Sequence, residues 1–335
     1  MNVQKFKSIV DSFDADRIIL YGYGEPLLHE DLKDLLRIAN TRAETLIVTN
    51  ATLNFKKIAD YVDILGVSIN SASVLRSKLN DVEEASKHAD VWISTILTKD
   101  NISELFDIVS LASEIDVNVI ATNLNPYNKN LYEQALFVEL SERPVDECLK
   151  HFNSPEDIEK FLAEVSKLDQ NSLELYNQML KEIGKYHLNV SGVAERWERI
   201  KTAKKVKITF ERVKELAESL GVSLDLPKLF ADELERACPY EDAVFVRVDG
   251  KIVPCSEFAY THPMFVNRHS KVVVEQTLNE VFDKKRKNLV KNFPWCGDCQ
   301  FADICWFVEE NRDCYGNEPS CSECLASVGI VSCLL

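Results

Sequence analysis

Ten cysteines are present in this 335-residue chain, and nine of them fall between Cys238 and Cys333. Thiolates gathered at short spacings hold either a metal ion or an iron–sulfur cluster. Cys238 is followed by eleven residues, Gly250, four residues and Cys255; then come Cys296-x2-Cys299-x5-Cys305, Cys314, and Cys321-x2-Cys324-x8-Cys333. A Cys-x2-Cys turn brings two sulfurs to one site at little cost in chain entropy. Nine thiolates serve two four-ligand sites with one left over. The spacing leaves zinc and iron–sulfur equally open, and His262 and His269 are not at finger spacing. A disulfide framework is disfavoured, because the N-terminus lacks a secretory h-region. The tenth cysteine, Cys148, reads as an ordinary core or surface thiol.

The second chemical feature is the stretch RIILYGYGEPLLHEDLKDLLRIA, from Arg17 to Ala39. An apolar strand runs into Gly22-Tyr23-Gly24-Glu25-Pro26, and a helical pattern follows. Gly22 and Gly24 let backbone approach a ligand. Glu25 either fixes the turn or meets a ligand amine by charge-assisted hydrogen bonding. Pro26 starts the next segment and sets its direction.

The elements that must position these groups follow from the periodicity. Apolar runs over 16–22, 43–52, 63–70, 90–98 and 116–126 read as five strands, with helical patterns between them. Residues 1–13 read as a first helix, with Val3, Phe6, Ile9, Val10 and Phe13 on one face. Repeated βα units build a parallel sheet or a (β/α) barrel, with the ligand site at the C-terminal ends of the strands. The expectation is an α/β fold with a partial barrel. Residues 131–237 are mainly helical: Ser154 and Pro155 suit a helix start, Gly221 suits a helix end, and HLNVSG is a candidate further strand. From Cys238 the texture changes to a loop-rich, cysteine-stapled module. The organisation expected is 1–130, 131–237 and 238–335.

Formal net charge is −15, from 39 Lys and Arg against 54 Asp and Glu, which disfavours nucleic acid as a partner. No apolar run approaches the ~18 residues of a membrane span, and a cytoplasmic, non-membrane protein is expected.

Taken together, LYGYGEPLL and the cysteine spacing resemble the radical S-adenosylmethionine (SAM) enzymes that carry a C-terminal SPASM extension. The resemblance covers essentially the whole chain. It implies a partial (β/α)6 TIM-like radical SAM barrel, followed by a small iron–sulfur module with two auxiliary [4Fe–4S] clusters. LYGYGEPLL is similar to the family's GGEP segment, which binds the SAM amino group. VTNATL resembles its TNG strand end, placing Thr49 and Asn50 near SAM. VSINS resembles SIDS, placing Ser68 and Asn70 near the SAM carboxylate or ribose, with Asn70 where Asp is more usual. For each strand end the competing reading is a cap for the following helix. By family pattern Cys238 and Cys255 belong to the first auxiliary cluster and Cys296, Cys299 and Cys305 to the second cysteine run. Cys314, Cys321, Cys324 and Cys333 supply the remaining ligands in an order the sequence leaves open. The tail further resembles that of the cofactor-modifying maturases associated with tungsten-containing aldehyde ferredoxin oxidoreductases. The resemblance implies a peptide, protein or bound cofactor as substrate and a small electron carrier such as ferredoxin or flavodoxin.

One departure bears on activity. The family holds its SAM cluster with Cys-x3-Cys-x2-Cys ahead of the GGEP strand, and residues 1–16 contain no cysteine. Adding that strand and loop takes roughly 25–40 residues, the scale of one βα unit. Either the chain is a shortened form of a longer enzyme, inactive as it stands, or it has lost the cluster and keeps a scaffold or ligand-binding role. The rival from another class is a non-catalytic zinc- or iron–sulfur-binding protein whose βα domain binds a partner.

Overall fold

The computed structural model describes residues 1–21, 24–126, 129–184, 186, 188–231, 243–253, 325 and 329–331. In chain order the elements are α1 (Val3–Val10), β1 (Arg17–Leu20), α2 (Leu32–Asn40), β2 (Glu44–Thr49), β3 (Ile64–Ser68), α3 (Ala72–Ser86), β4 (Asp90–Leu97), α4 (Leu105–Glu114), β5 (Asn118–Asn123) and α5 (Lys129–Gln134). They continue with β6 (Val138–Ser141), α6 (Glu142–His151), α7 (Pro155–Ser166), α8 (Gln170–Ile183), α9 (Val190–Glu195), α10 (Trp197–Leu220), β7 (Leu224–Asp225), β8 (Phe230–Ala231), β9 (Phe245–Val246) and β10 (Ile252–Val253). Two compact units result: 1–135 with 208–226 and 246–253, and 136–207 with 227–245 and 254–335.

The first unit holds a six-stranded sheet in the order β1-β2-β3-β4-β5-β7, every pairing parallel. The five expected strands are all present. Sequential order with helices between neighbours is what repeated βα units produce. Asn2 caps α1 by accepting the Lys5 N–H at 2.8 Å, and α1 packs on α2, which buries Leu32, Leu35, Leu36 and Ala39. Phe55–Tyr61 winds as a 3-10 helix. Its apolar Phe55 and Ile58 stand three apart, which suits i→i+3 winding.

In the second unit β6 pairs β8 in parallel, and α6 to α9 pack together. Ser154 caps α7 by accepting the Asp157 N–H at 3.2 Å, with Pro155 at the first helical position. Phe152 and Phe161 meet at 5.0 Å between ring centroids. The segment HLNVSG departs from its strand expectation. Asn189 accepts the Gly192 N–H at 2.8 Å, and that cap starts α9 at Val190. Cys148 is a core thiol, and burial, with the Glu147 charge beside it, pushes it up to about 12. Among the described residues, no helix is long and apolar enough to cross a membrane.

Candidate functional site

Four of the predicted site residues meet at the C-terminal ends of β1 and β2. Pro26 opens a short 3-10 turn, Pro26–Leu28, in the segment between β1 and α2, and Glu25 caps it by accepting the Leu27 N–H at 3.0 Å. The same oxygen of Glu25 accepts the Thr49 hydroxyl at 2.8 Å, and its other oxygen accepts the Asn50 N–H at 2.8 Å. One carboxylate therefore locks the Gly-Glu-Pro turn onto the end of the neighbouring strand. Thr49 is 1% exposed, and its hydroxyl also accepts the Ala51 N–H at 3.2 Å. Ala51 holds φ at +57°, in the left-handed region that favours glycine, where the resembling family motif has glycine. Asn50 is exposed and accepts both the N–H and the hydroxyl of Thr52. A Cβ placed on Gly24 would meet no atom within 4 Å, so the turn backbone opens onto free space.

Ser68 and Asn70 sit at the end of β3. Asn70 accepts the Ile96 N–H at 2.8 Å and so ties β3 to β4. Neither residue caps the following helix: α3 starts on Ser71, whose hydroxyl accepts the Val74 N–H. Thr49 and Asn50 likewise cap no helix, since Asn54 precedes the next helical turn. None of the four residues caps a helix, and Thr49, Asn50 and Asn70 instead serve cross-strand or local turn bonds.

Three residues at these strand ends were missed from the sequence. Asn101 donates to the carbonyls of Asn70 at 3.2 Å and Ile96 at 2.9 Å, and accepts the Thr98 N–H at 2.8 Å. Thr95 donates to the Ile69 carbonyl at 2.7 Å. Glu104 accepts the Ala72 N–H at 2.7 Å, at the start of α3. The polar cluster TKDN after the apolar run of β4 was the available signal.

Gly22 lies outside the described residues, as do Cys238, Cys255, Cys296, Cys299, Cys305, Cys314, Cys321, Cys324 and Cys333. The glycine of the cysteine spacing is described: Gly250 takes φ +82° in a tight turn between β9 and β10, where its N–H donates to the Arg247 carbonyl at 2.8 Å. Among the described residues, no group of three or more His, Cys, Asp or Glu side chains is placed to hold a metal.

No family model matches the chain. Over 130 residues it is 35% identical to the tungsten-containing aldehyde ferredoxin oxidoreductase cofactor-modifying protein of Pyrococcus furiosus. That match spans 34% of this chain and 36% of the relative, so about a third of the relative's length is represented. The crystal structure of Streptococcus suis SuiB superposes with a TM-score of 0.50 at 13% identity, covering 91% of this chain and 66% of that one. SuiB bound to S-adenosylmethionine superposes with a TM-score of 0.49 at 13% identity, covering 91% and 65%. The fold is that of SuiB, and the sequence is similar to a cofactor-modifying protein. The resemblance read from the sequence is borne out by the match to the cofactor-modifying protein, and the α/β fold by the superposition on SuiB.

Proposed function

We propose that this chain carries the SAM-binding part of a radical SAM maturase and, in its cysteine-rich segment, two auxiliary [4Fe–4S] clusters. The observation that carries this reading is the Glu25 lock. It holds a Gly-Glu-Pro turn, open above Gly24, against the strand end that presents Asn50. In this reading the backbone from Gly22 to Pro26 takes the ammonium of SAM, with Thr49 and Asn50 beside it. Ser68 and Asn70 bound the carboxylate or ribose. Cys238, Cys255, Cys296, Cys299, Cys305, Cys314, Cys321, Cys324 and Cys333 supply the cluster ligands, and 1–130, 131–237 and 238–335 are the functional segments. The substrate is a peptide, a protein or a bound cofactor, and a ferredoxin or flavodoxin delivers electrons. When bound to a reduced cluster, SAM supplies a 5′-deoxyadenosyl radical for hydrogen abstraction. The protein's part is to orient the ligand and exclude water around it.

No Cys-x3-Cys-x2-Cys run occurs anywhere in the 335 residues, so we expect this chain on its own to bind SAM without cleaving it. The same fact favours the second reading, a non-catalytic scaffold with zinc in the cysteine segment. Anaerobic purification with metal and sulfide analysis separates the two. About eight iron with matching sulfide supports two [4Fe–4S] clusters, and about two zinc supports the scaffold.

A further inference from the structure

Arg247 opens the turn between β9 and β10, and its side chain is 10% exposed. Its guanidinium is a fork of N–H donors that cannot lose its charge. The hydrogen bond this side chain makes among the described residues runs from Nη2 to the Asp249 carboxylate at 2.8 Å. The Nε is buried and has no hydrogen-bond partner. A buried charged group with an idle donor is costly and uncommon in folded proteins. An acceptor at the Nε edge removes that cost, and two oxygens side by side match the edge.

The surroundings favour a negative group. Lys5 of α1 crosses the same turn: its ammonium donates to the Asp249 carbonyl, and a Cβ placed on Gly250 would lie 2.0 Å from its Cε. The close approach of the lysine stem is a second reason for glycine at this position. Among the described residues Lys5 has no carboxylate partner. Lys251 stands across the hairpin from Arg247, whose N–H donates to the Lys251 carbonyl at 2.9 Å. Like charges opposed across a hairpin repel. Against these cations stands the Asp249 carboxylate, which is shared between the Arg247 guanidinium and the Lys251 N–H. Local charge is therefore positive in a chain whose net charge is −15. All of these residues belong to the first compact unit.

We propose that Arg247, with Lys5 and Lys251 beside it, forms a binding site for a carboxylate. None of its residues belongs to the Gly-Glu-Pro turn or to the strand ends, and the proposal does not depend on the SAM reading. The narrow opening over the Nε edge suits a flat carboxylate better than a tetrahedral phosphate.

The test follows the Arg247 Nε–H signal in 15N-edited NMR spectra of the full chain, assigned by its loss in Arg247→Lys. Sodium acetate, N-acetylglutamate amide and inorganic phosphate are titrated against sodium chloride at matched ionic strength. Acetate stands for a free small acid and the glutamate derivative for an acidic side chain. The expected result is a saturable shift with one or both carboxylates and none with chloride. Lys5→Ala should weaken that binding about two- to fivefold, the scale of one exposed charge contact. Should Arg247→Lys fail to fold by circular dichroism, one arginine Nε–H signal that saturates in wild type and shifts its midpoint in Lys5→Ala carries the test. No saturable shift, a shift reproduced by chloride, tighter binding of phosphate than of either carboxylate, or an unchanged midpoint in Lys5→Ala overturns the proposal.

Discussion

Replacing Glu25 by Gln changes almost no volume and removes the acceptor pattern on which the turn depends. The carboxylate accepts three donors: Leu27 N–H and the Thr49 hydroxyl on one oxygen, and Asn50 N–H on the other. An amide has a single acceptor oxygen. If that oxygen keeps Leu27 and Thr49, the new NH2 confronts the Asn50 N–H; if it turns to Asn50, two bonds are lost. A hydrogen bond to a charged group contributes about 1.5–3 kcal/mol, and a part-exposed site falls at the low end, so Glu25→Gln should cost about 1.5–2 kcal/mol. For a chain of 335 residues that lowers the melting temperature by about 2–3 °C. Thr49→Val removes one of the donors, and the two residues are in direct contact, so a double-mutant cycle should return a coupling of about 1 kcal/mol. Thermal and urea unfolding followed by circular dichroism on the four proteins gives both numbers. A loss below about 0.5 kcal/mol for Glu25→Gln, the usual range of an unconnected surface change, together with no coupling, would show that the lock does not hold the turn.

Other residues make separate predictions. Asn101→Ala strands the carbonyls of Asn70 and Ile96 and the Thr98 N–H, and should cost about 2 kcal/mol in urea unfolding. Leu168, 76% exposed, ends α7 with φ at +62°; Leu168→Gly should stabilise the chain by roughly 0.5–1 kcal/mol, read as a rise in melting temperature. Cys148, pushed up to about 12, should resist iodoacetamide at pH 8 in the folded chain and react once it is unfolded, which peptide mass mapping of Cys148 reports. Burial pushes the carboxyl of Glu147 up, but hydrogen bonds from Lys150 and His151 outweigh it and leave it below the ordinary carboxylate value. Its contribution to stability is therefore complete above the unfolded carboxylate pKa and is lost as pH falls through the lower folded value, and Glu147→Gln should flatten the stability–pH curve in that acidic window.

The sheet was legible because each of its first five strands is an apolar run ending in a polar residue, with an amphipathic helical pattern behind it. The helix start at Ser154-Pro155 and the positive-φ glycine at 221 were legible for the same local reason: capping chemistry is written within a few residues. What bonds across strands was not. Glu25 stood out as part of a turn, but its partners Thr49 and Asn50 come 24 and 25 residues later, and no periodicity links them. Asn101 follows the apolar run of β4 as one polar residue among several, although its side chain serves the ends of β3 and β4. HLNVSG was misread because a four-residue apolar–polar alternation fits a strand and a capped helix start equally well.

SAM binding at the strand ends is tested most directly by isothermal titration of SAM into the anaerobically purified full chain, side by side with Glu25→Gln. The expected result is saturable binding of one SAM per chain, weakened about tenfold in the variant, which corresponds to about 1.4 kcal/mol of lost anchoring. No binding by the wild-type chain, or equal binding by both proteins, contradicts the assignment of the Gly-Glu-Pro turn as the SAM site.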